Sequence, residues 1–575
     1  MNWDLTALYK SEDDLKIDLK KANKKAINFE EMYKNNLKSL GTSEFLEALR
    51  EYESVSEILA KIMTYAFLKF ATDSDNGPFY AKYQNEYTSV SEFLIFFELE
   101  FNRLVKTKQK EFIDNSNGYK FYLCSLQEEK PYQLSAKEER ILLKKSTTGA
   151  SAFSRLFDEH FSRLKFTYDG KKISEEEILS LLHNPDREIR KKASAAFSRG
   201  IKPHQPLLGY IYNMIKADHK SDCELRSYSS PEQSRHMDNK ISQTSVDALV
   251  GAAEDSFDLV QDYYLKKAEL LGIDQLHDYD RYAPIETKEE VYDYEKSKEI
   301  ILKAFKKFSP KFASVAKKAF DEGWIDVLPK DGKRGGAFSH PATTDTHPYI
   351  LLNHTNRRRD LFTLAHELGH AIHQYLSRDV GYIGSDTPLT TSETASVFAE
   401  MLVFDYIKED LADEQKVSLY AGKIEDIFAT LYRQVNFTTF ERRVHGHDGE
   451  LDLATFNKYW LEESEKMFGK SIKLSKSYDM WWSYIPHFIH SPFYCYSYSY
   501  GQLLVLALYG LYKSGKCDNF IEIYTAFLSA GGSKSPKELI DKFGFDIDDK
   551  EFWKIGIEEI RKLLKEFDDV TKRIK

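Results

Sequence analysis

This sequence predicts a mainly helical fold with a small β element, on three observations. The 575 residues include only 27 Gly and 15 Pro. No proline precedes Pro78 and none lies between Pro388 and Pro486, and these long stretches are rich in Lys, Glu, Leu and Ala, a composition that favours helix. Strand-like runs are few: AFSHP and YILLNH, within 337–354, are the best, bracketed by Gly335-Gly336 and polar residues. The length gives ample material for a large core and a soft expectation of three or four domain-sized units.

Taken in order, DDLKIDLKKANKKAINFEEMYKNNLKSL opens a series of amphipathic helices that runs to about residue 190. The remainder carries the chemistry, which divides the chain into 1–190 and 191–575; no Pro/Gly-rich linker, fixed-period repeat or low-complexity tract separates them, so the two parts are expected to pack into one body. In LFTLAHELGHAIHQYL (361–376), Leu361, Leu364, Ala365, Leu368, Ile372, Tyr375 and Leu376 share one side of a helix. His366, His370 and His373 fall nearly opposite. Gly381, Gly384 and Pro388 then mark a turn-rich stretch, after which Thr391 or Ser392 can cap a second helix, TTSETASVFAEMLVFDYI (390–407). Its continuation, Val397, Phe398, Met401, Leu402, Val403, Phe404 and Ile407, is apolar on every side, as a buried helix is. RRVHGHDGELD reads as a polar turn with His445 and His447 at the surface. In HFIHSPFYCYSYSY, tyrosines at every second position read as a strand, whereas helical winding puts Tyr494 and Tyr498 on one face.

Composition excludes several classes. Net charge is −10 with both signs interspersed, which argues against a nucleic-acid partner; KKANKK (20–25) is a helix-face patch. The longest apolar run, LLVLALYGLY (503–512), is too short to span a bilayer, and MNWDLTALYKSEDDLK lacks the basic start and apolar core of a signal peptide. Cys124, Cys223, Cys495 and Cys517 show no CxxC spacing and read as free buried thiols, so a cytoplasmic protein is expected.

His366-Glu367-Leu368-Gly369-His370 carries the chemistry. Residues four apart lie on one helix face, so both imidazoles can bind one ion, and Glu367 can reach a water held there. This set of groups suits zinc-assisted hydrolysis. At this composition a chance His-acid-x-x-His is expected about 0.07 times. A third ligand is required. His373 is one candidate, but three histidines along one straight helix reach past a single ion. The longer HExxHxxGxxH pattern is not met, since His373 and Leu376 stand at its last two positions. Glu393 is the better candidate: on the buried second helix, Glu393 and Glu400 lack an easy route to water, and a buried carboxylate needs a partner or a metal. Glu400 suits a hydrogen bond to a ligand histidine, fixing its tautomer, and His373 a supporting place beside it. A salt bridge to an unseen cation is the alternative for each carboxylate. For the tyrosine segment the alternative is an aromatic packing belt.

HELGHAIHQYLS followed by SETASVFAEML resembles the M3 family of zinc metallopeptidases, most closely its oligoendopeptidase F branch. DTHPYILLNH (345–354) looks like that branch's substrate-side segment, which makes Tyr349 and Asn353 substrate-binding candidates. IPHFIHSPFYCYSYSYG (485–501) looks like its His/Tyr-rich segment, and SRLFDEHFSRLKF (154–166) and NPDREIRKKASAAF (184–197) like its N-terminal region. The resemblance implies a large multi-helix, zincin-type metallopeptidase of two parts, 1–190 N-terminal and 191–575 catalytic, enclosing a deep substrate channel. It implies one zinc per chain on His366, His370 and Glu393, with Glu367 as general base. His487, Tyr496, Tyr498 and Tyr494, in that order, are the donors expected to stabilise the oxyanion, with Pro486 holding the backbone extended before His487. The segment GAFSHPATTDTHPYILLNH (336–354) is expected to give an extended edge beside the zinc helix.

The expected function is therefore a cytoplasmic zinc endopeptidase acting on short peptides, with no membrane or nucleic-acid partner. The sequence does not fix its oligomeric state. Two alternatives stay open: a dipeptidyl- or monocarboxypeptidase, which needs a fixed cation for a C-terminal carboxylate, and a non-catalytic peptide-binding protein, against which the intact Glu367 argues.

Overall fold

The computed structural model describes residues 3–285 and 291–574 and contains 28 α-helices among them. The helices pack as two units that the chain enters more than once. One takes its residues from 1–131, 289–409 and 515–544, the other from 132–288, 410–514 and 545–575. The packing units thus cut the chain differently from a division at residue 190. A helical chain can leave a unit and return to it, and no linker composition marks those crossings.

In the first unit, Thr42–Thr72 packs against Glu12–Tyr33 and Gly77–Ser91. Ser11 caps Glu12–Tyr33 by accepting from the Asp14 N–H, and Glu12, Asp13 and Asp14 in the first turn complement the helix dipole. Phe29, Phe45, Phe97 and Phe112 fill this layer, with Phe45 and Phe112 stacked at 3.9 Å. Farther along, Ile62, Ala66 and Leu68 share a core with Trp3, Tyr349 and Leu351 of the sheet.

That sheet has three short strands in the order Ile325–Asp326, Tyr349–Leu351, Phe338–His340. Ile350 pairs with Ile325 in parallel and with Ser339 antiparallel. Both strands expected from the sequence are present, and every residue of the central one is buried. The sheet touches the helix Arg358–Ser377, which holds the HExxH segment. Asp360 starts this helix by accepting from the backbone N–H groups of Thr355 and Arg357, at 2.8 and 2.9 Å. Leu361, Leu364, Ala365, Leu368 and Ile372 are buried, against Ser396–Lys408, Pro310–Asp321 and Phe520–Ser529.

In the second unit, Cys495–Ser514 lies along Lys550–Arg573. The two come so close that a Cβ at Gly556 would sit 2.8 Å from the Leu503 carbonyl oxygen. The apolar run is buried there from Leu503 to Leu511, and no helix among the described residues is long and apolar enough to cross a membrane. NPDREIRKKASAAF forms the helix Arg187–Ile201, whose Arg187 and Arg190 both pair with the buried Asp280 at 2.9 Å. The hairpin Phe166–Tyr168/Lys171–Ile173 turns through Asp169 and Gly170, both at positive φ. Asp169-Gly170 is the Asp-Gly pair that a two-residue hairpin turn favours.

Two expectations need correction. All four cysteines are free, but only Cys495 is buried. His445 is not a surface residue: it ends the helix Tyr432–His445 and packs on Tyr212, His219 and Phe493, with Nε2 enclosed.

Candidate metal centre

His366, His370 and Glu393 converge in the first unit, and they are the group of three potential metal ligands found among the described residues. Nε2 of His366 and Nε2 of His370 are 3.1 Å apart, and Oε2 of Glu393 lies 3.4 and 3.5 Å from them. A tetrahedral ion with bonds of about 2.0–2.2 Å needs ligand atoms roughly 3.3–3.6 Å apart. The two sides that meet at Glu393 fall in this range and the His366–His370 side is slightly shorter, so a small movement of one imidazole would seat the ion, and three protein donors leave one position for water or substrate. Two imidazoles and a carboxylate are also the donor set of a catalytic zinc site.

Glu393 reaches the histidines from a break in the helix rather than from inside it. Leu389–Ser392 is a short helical turn, Glu393-Thr394-Ala395 is a non-helical step, and Ser396–Lys408 follows. The expected caps are therefore absent: Thr391 and Ser392 donate back to the carbonyls of Pro388 and Leu389. Three contacts fix the step. Ser396 Oγ donates to Glu393 Oε2 at 2.7 Å, the buried Tyr524 hydroxyl donates to the Thr394 carbonyl at 2.7 Å, and His373 hydrogen-bonds the backbone of Ser392.

Gly369 makes the approach possible. A Cβ there would stand 2.5 Å from the Ala395 carbonyl oxygen and 2.5 Å from Ser396 Cα. The sequence signal for Gly369 is a glycine inside a helix, which lowers helix propensity and asks for a packing reason. Tyr524 leaves no such signal.

The expectation that Glu393 and Glu400 lack access to water is also corrected. Their side chains keep 35% and 20% of their exposure, because both sit where the apolar helix opens toward the site. Glu400 Oε1 lies 2.6 Å from Nδ1 of His366. Burial would push the His366 imidazole down, but the hydrogen bond and charge of Glu400, with the charge of Glu393, raise it to about 9. Burial would raise Glu393, and His370 and His366 hold it well below the usual carboxylate range. Glu367 is buried, which raises its carboxyl; His366 and His370 offset this only in part. His373 is buried, which depresses it to about 4, and it hydrogen-bonds the Ser392 backbone rather than joining the His366–His370–Glu393 group.

The substrate-side residues fall otherwise than expected. Tyr349 is fully buried against Trp3 and His347 and can touch no substrate, because its strand is central rather than an edge. Asn353 donates its amide hydrogens to the carbonyls of Arg334 and Gly336 and so ties down that loop. The edge beside the histidine helix is Phe338–His340. Its Ser339 carbonyl accepts from Gln374 Nε2 at 3.1 Å, while Ser339 Oγ donates to Gln374 Oε1 at 2.8 Å. A groove of about 900 Å³ runs past this edge, lined among others by Phe67, Tyr80, Tyr87, His340, His370 and Tyr382.

In the second unit the tyrosine segment is helical from Cys495, and its winding sorts the residues into two sets. Tyr496 and Tyr500 are buried: the Tyr496 hydroxyl is bound by His236 and Asn239 at 2.8 Å each, and the Tyr500 hydroxyl by Ser245 at 2.9 Å. Tyr496 is thus a packing residue and not an available donor. His487, Tyr494 and Tyr498 remain partly exposed and adjacent, with His487 Nε2 3.4 Å from the Tyr498 hydroxyl. Pro486 is not extended; its helical φ and ψ begin the turn His487–His490.

Known proteins resemble this chain over most of its length. Residues 180–559 match the model of peptidase family M3, and residues 100–166 match that described as oligopeptidase F. Oligopeptidase PepF of Bacillus subtilis is 29% identical over 553 residues, 92% of this chain and 81% of that protein. An oligoendopeptidase F homolog of Borreliella burgdorferi is 28% identical, covering 98% of both chains. Among solved structures, one from Chlamydophila abortus superposes with a TM-score of 0.89 at 24% identity, over 99% of this chain and 98% of the other. Oligoendopeptidase-F from Enterococcus faecium gives 0.71 at 22%, over 98% and 99%. At these identities the structures speak for the fold.

Proposed function

The chain belongs to peptidase family M3, and from that premise we propose that it is a zinc-dependent endopeptidase cleaving internal bonds of short oligopeptides. The observation that carries the reading is the His366–His370–Glu393 triangle, whose sides suit one tetrahedral ion. The relatives named for oligopeptide and oligoendopeptide cleavage support the substrate class.

Zinc bound there would polarise the scissile carbonyl and ease deprotonation of water. Glu367 takes that proton and returns it to the leaving amine; its raised carboxyl is a better base than an exposed glutamate would be. Glu400 holds the Nδ1 proton of His366, which keeps Nε2 as the lone-pair side facing the metal. His373, through Ser392, steadies the step that carries Glu393. Tyr498, His487 and Tyr494 are the donors we assign to the charge developing on the carbonyl oxygen.

As regions of sequence, 1–190 and 191–575 remain our division into N-terminal and catalytic parts. We place the protein in the cytoplasm, where its four free thiols would stay reduced.

The test is mass-spectrometric mapping of cuts in a mixed peptide library, with and without a chelator. We expect internal cuts that vanish on metal removal and return with zinc. Chelator-insensitive cleavage, or release of C-terminal residues alone, would overturn the reading.

A further inference from the structure

Arg433, in the second unit, is held by phenols and, among the described residues, by no carboxylate. Its Nη1 donates to the Tyr282 hydroxyl at 3.3 Å and its Nη2 to the Tyr484 hydroxyl at 3.2 Å. The guanidinium stands 5.1 Å from the Phe437 ring centre. Beside it, the buried Arg281 donates to the Asp278 carbonyl and lies 5.0 Å from the Tyr282 ring. Neither arginine has an ion-pair partner among the described residues. Glu425, whose charge reaches Tyr282, is already held by Lys267 and Tyr263.

Counting donors shows what is missing. A guanidinium has five N–H groups and no acceptor. Each phenol oxygen accepts from Arg433, so each hydroxyl proton must point elsewhere, and neither hydroxyl donates to any described residue. The cluster therefore has donors left over and, among the described residues, no carboxylate bound to either arginine. Two adjacent cations, of which Arg281 is withdrawn from water, are costly without a counter-charge, and an anion is the missing partner. Arg433, Tyr282 and Tyr484 are each partly exposed, so a ligand can reach them. The charge of Arg433 also acts on His487, a donor candidate of the same unit.

We propose that Arg433, with the hydroxyls of Tyr282 and Tyr484, forms a subsite for a carboxylate of the bound peptide. The proposal rests on the peptidase reading. Planar, forked donors match a carboxylate, which can come from the peptide's C-terminus or from an acidic side chain.

Labelled peptides of one sequence, as free acid and C-terminal amide, and with Glu or Gln at one internal position, separate the two sources. Binding is measured directly by anisotropy, and cleavage separately. We expect the zinc-loaded enzyme to bind one carboxylate form at least tenfold more tightly than its neutral counterpart. Arg433→Met should bring that ratio close to one, and Arg433→Lys should retain part of it. Should Arg433→Met fail to fold, Tyr484→Phe and Tyr282→Phe should each lower the ratio. A ratio of one for both pairs in the parent enzyme, or an undiminished ratio in the folded variants, overturns the subsite. Binding with discrimination but no cleavage of any peptide would instead count against the peptidase reading.

Discussion

Glu400 Oε1 lies 2.6 Å from Nδ1 of His366, so the proton on that imidazole is committed to the side away from Glu393 and His370. The contact joins two helices and orients a ligand before any ion arrives. Glu400→Gln should keep the fold and weaken zinc affinity by about 10–100-fold, as loss of such outer partners typically does. Competition with a graded series of chelators measures this, and unchanged affinity would count against the contact's role.

Gly369→Ala adds one methyl group where 2.5 Å separates the would-be Cβ from the Ala395 carbonyl oxygen. We expect the helix and the step carrying Glu393 to part, at a cost of about 1–3 kcal/mol. Denaturant unfolding and zinc content should fall together in this variant. A stable variant with full zinc would show that the approach can relax without moving Glu393.

The tyrosine segment gives a contrast within one helix. Tyr496→Phe removes one hydrogen bond from His236 Nδ1 and one from Asn239 Nδ2 and should lose about 1–3 kcal/mol of stability with little change in kcat. Tyr498→Phe should do the reverse, lowering kcat by roughly 10–10³-fold with KM little changed, because the lost bond forms in the transition state. Equal kcat in both variants would return the whole segment to packing.

Glu441 offers a prediction in pH. Burial pushes its carboxyl to about 8 in the folded protein, against about 4.5 for an ordinary glutamate. Below pH 4.5 both folded and unfolded chains hold the proton, and there is no penalty. Between 4.5 and about 8 only the unfolded chain releases it, so stability falls as pH rises through that window. Glu441→Gln should therefore match the parent near pH 4.5 and exceed it by a few kcal/mol near pH 8.5, on the order set by the shift. Urea unfolding at the two pH values checks the sign.

Much of the site is legible in the sequence because its signals are periodic. The 3.6-residue spacing of Leu361, Leu364, Leu368 and Ile372 sets the buried face of the histidine helix, and the i, i+4 pair His366 and His370 follows from it. Glu393 is readable as a carboxylate before an apolar helix, but the break that presents it is not. That break depends on Tyr524, from a helix 130 residues away in sequence, and on the space left by Gly369. Tyr349 misleads for a similar reason: three buried residues in a row identify a strand, while its central place depends on Ile325, whose run is too short to see. The split of Tyr494 and Tyr498 from Tyr496 and Tyr500 becomes readable once the segment is known to be helix, which alternation alone leaves open.

The most direct test of the centre is Glu367→Gln, assayed for zinc and turnover in the same preparation. The substitution keeps size and removes the base while leaving His366, His370 and Glu393 untouched. We expect one zinc per chain, as in the parent, with turnover reduced by at least about 10²–10⁴-fold. Full turnover with zinc in place would mean that Glu367 is not the group that moves the proton.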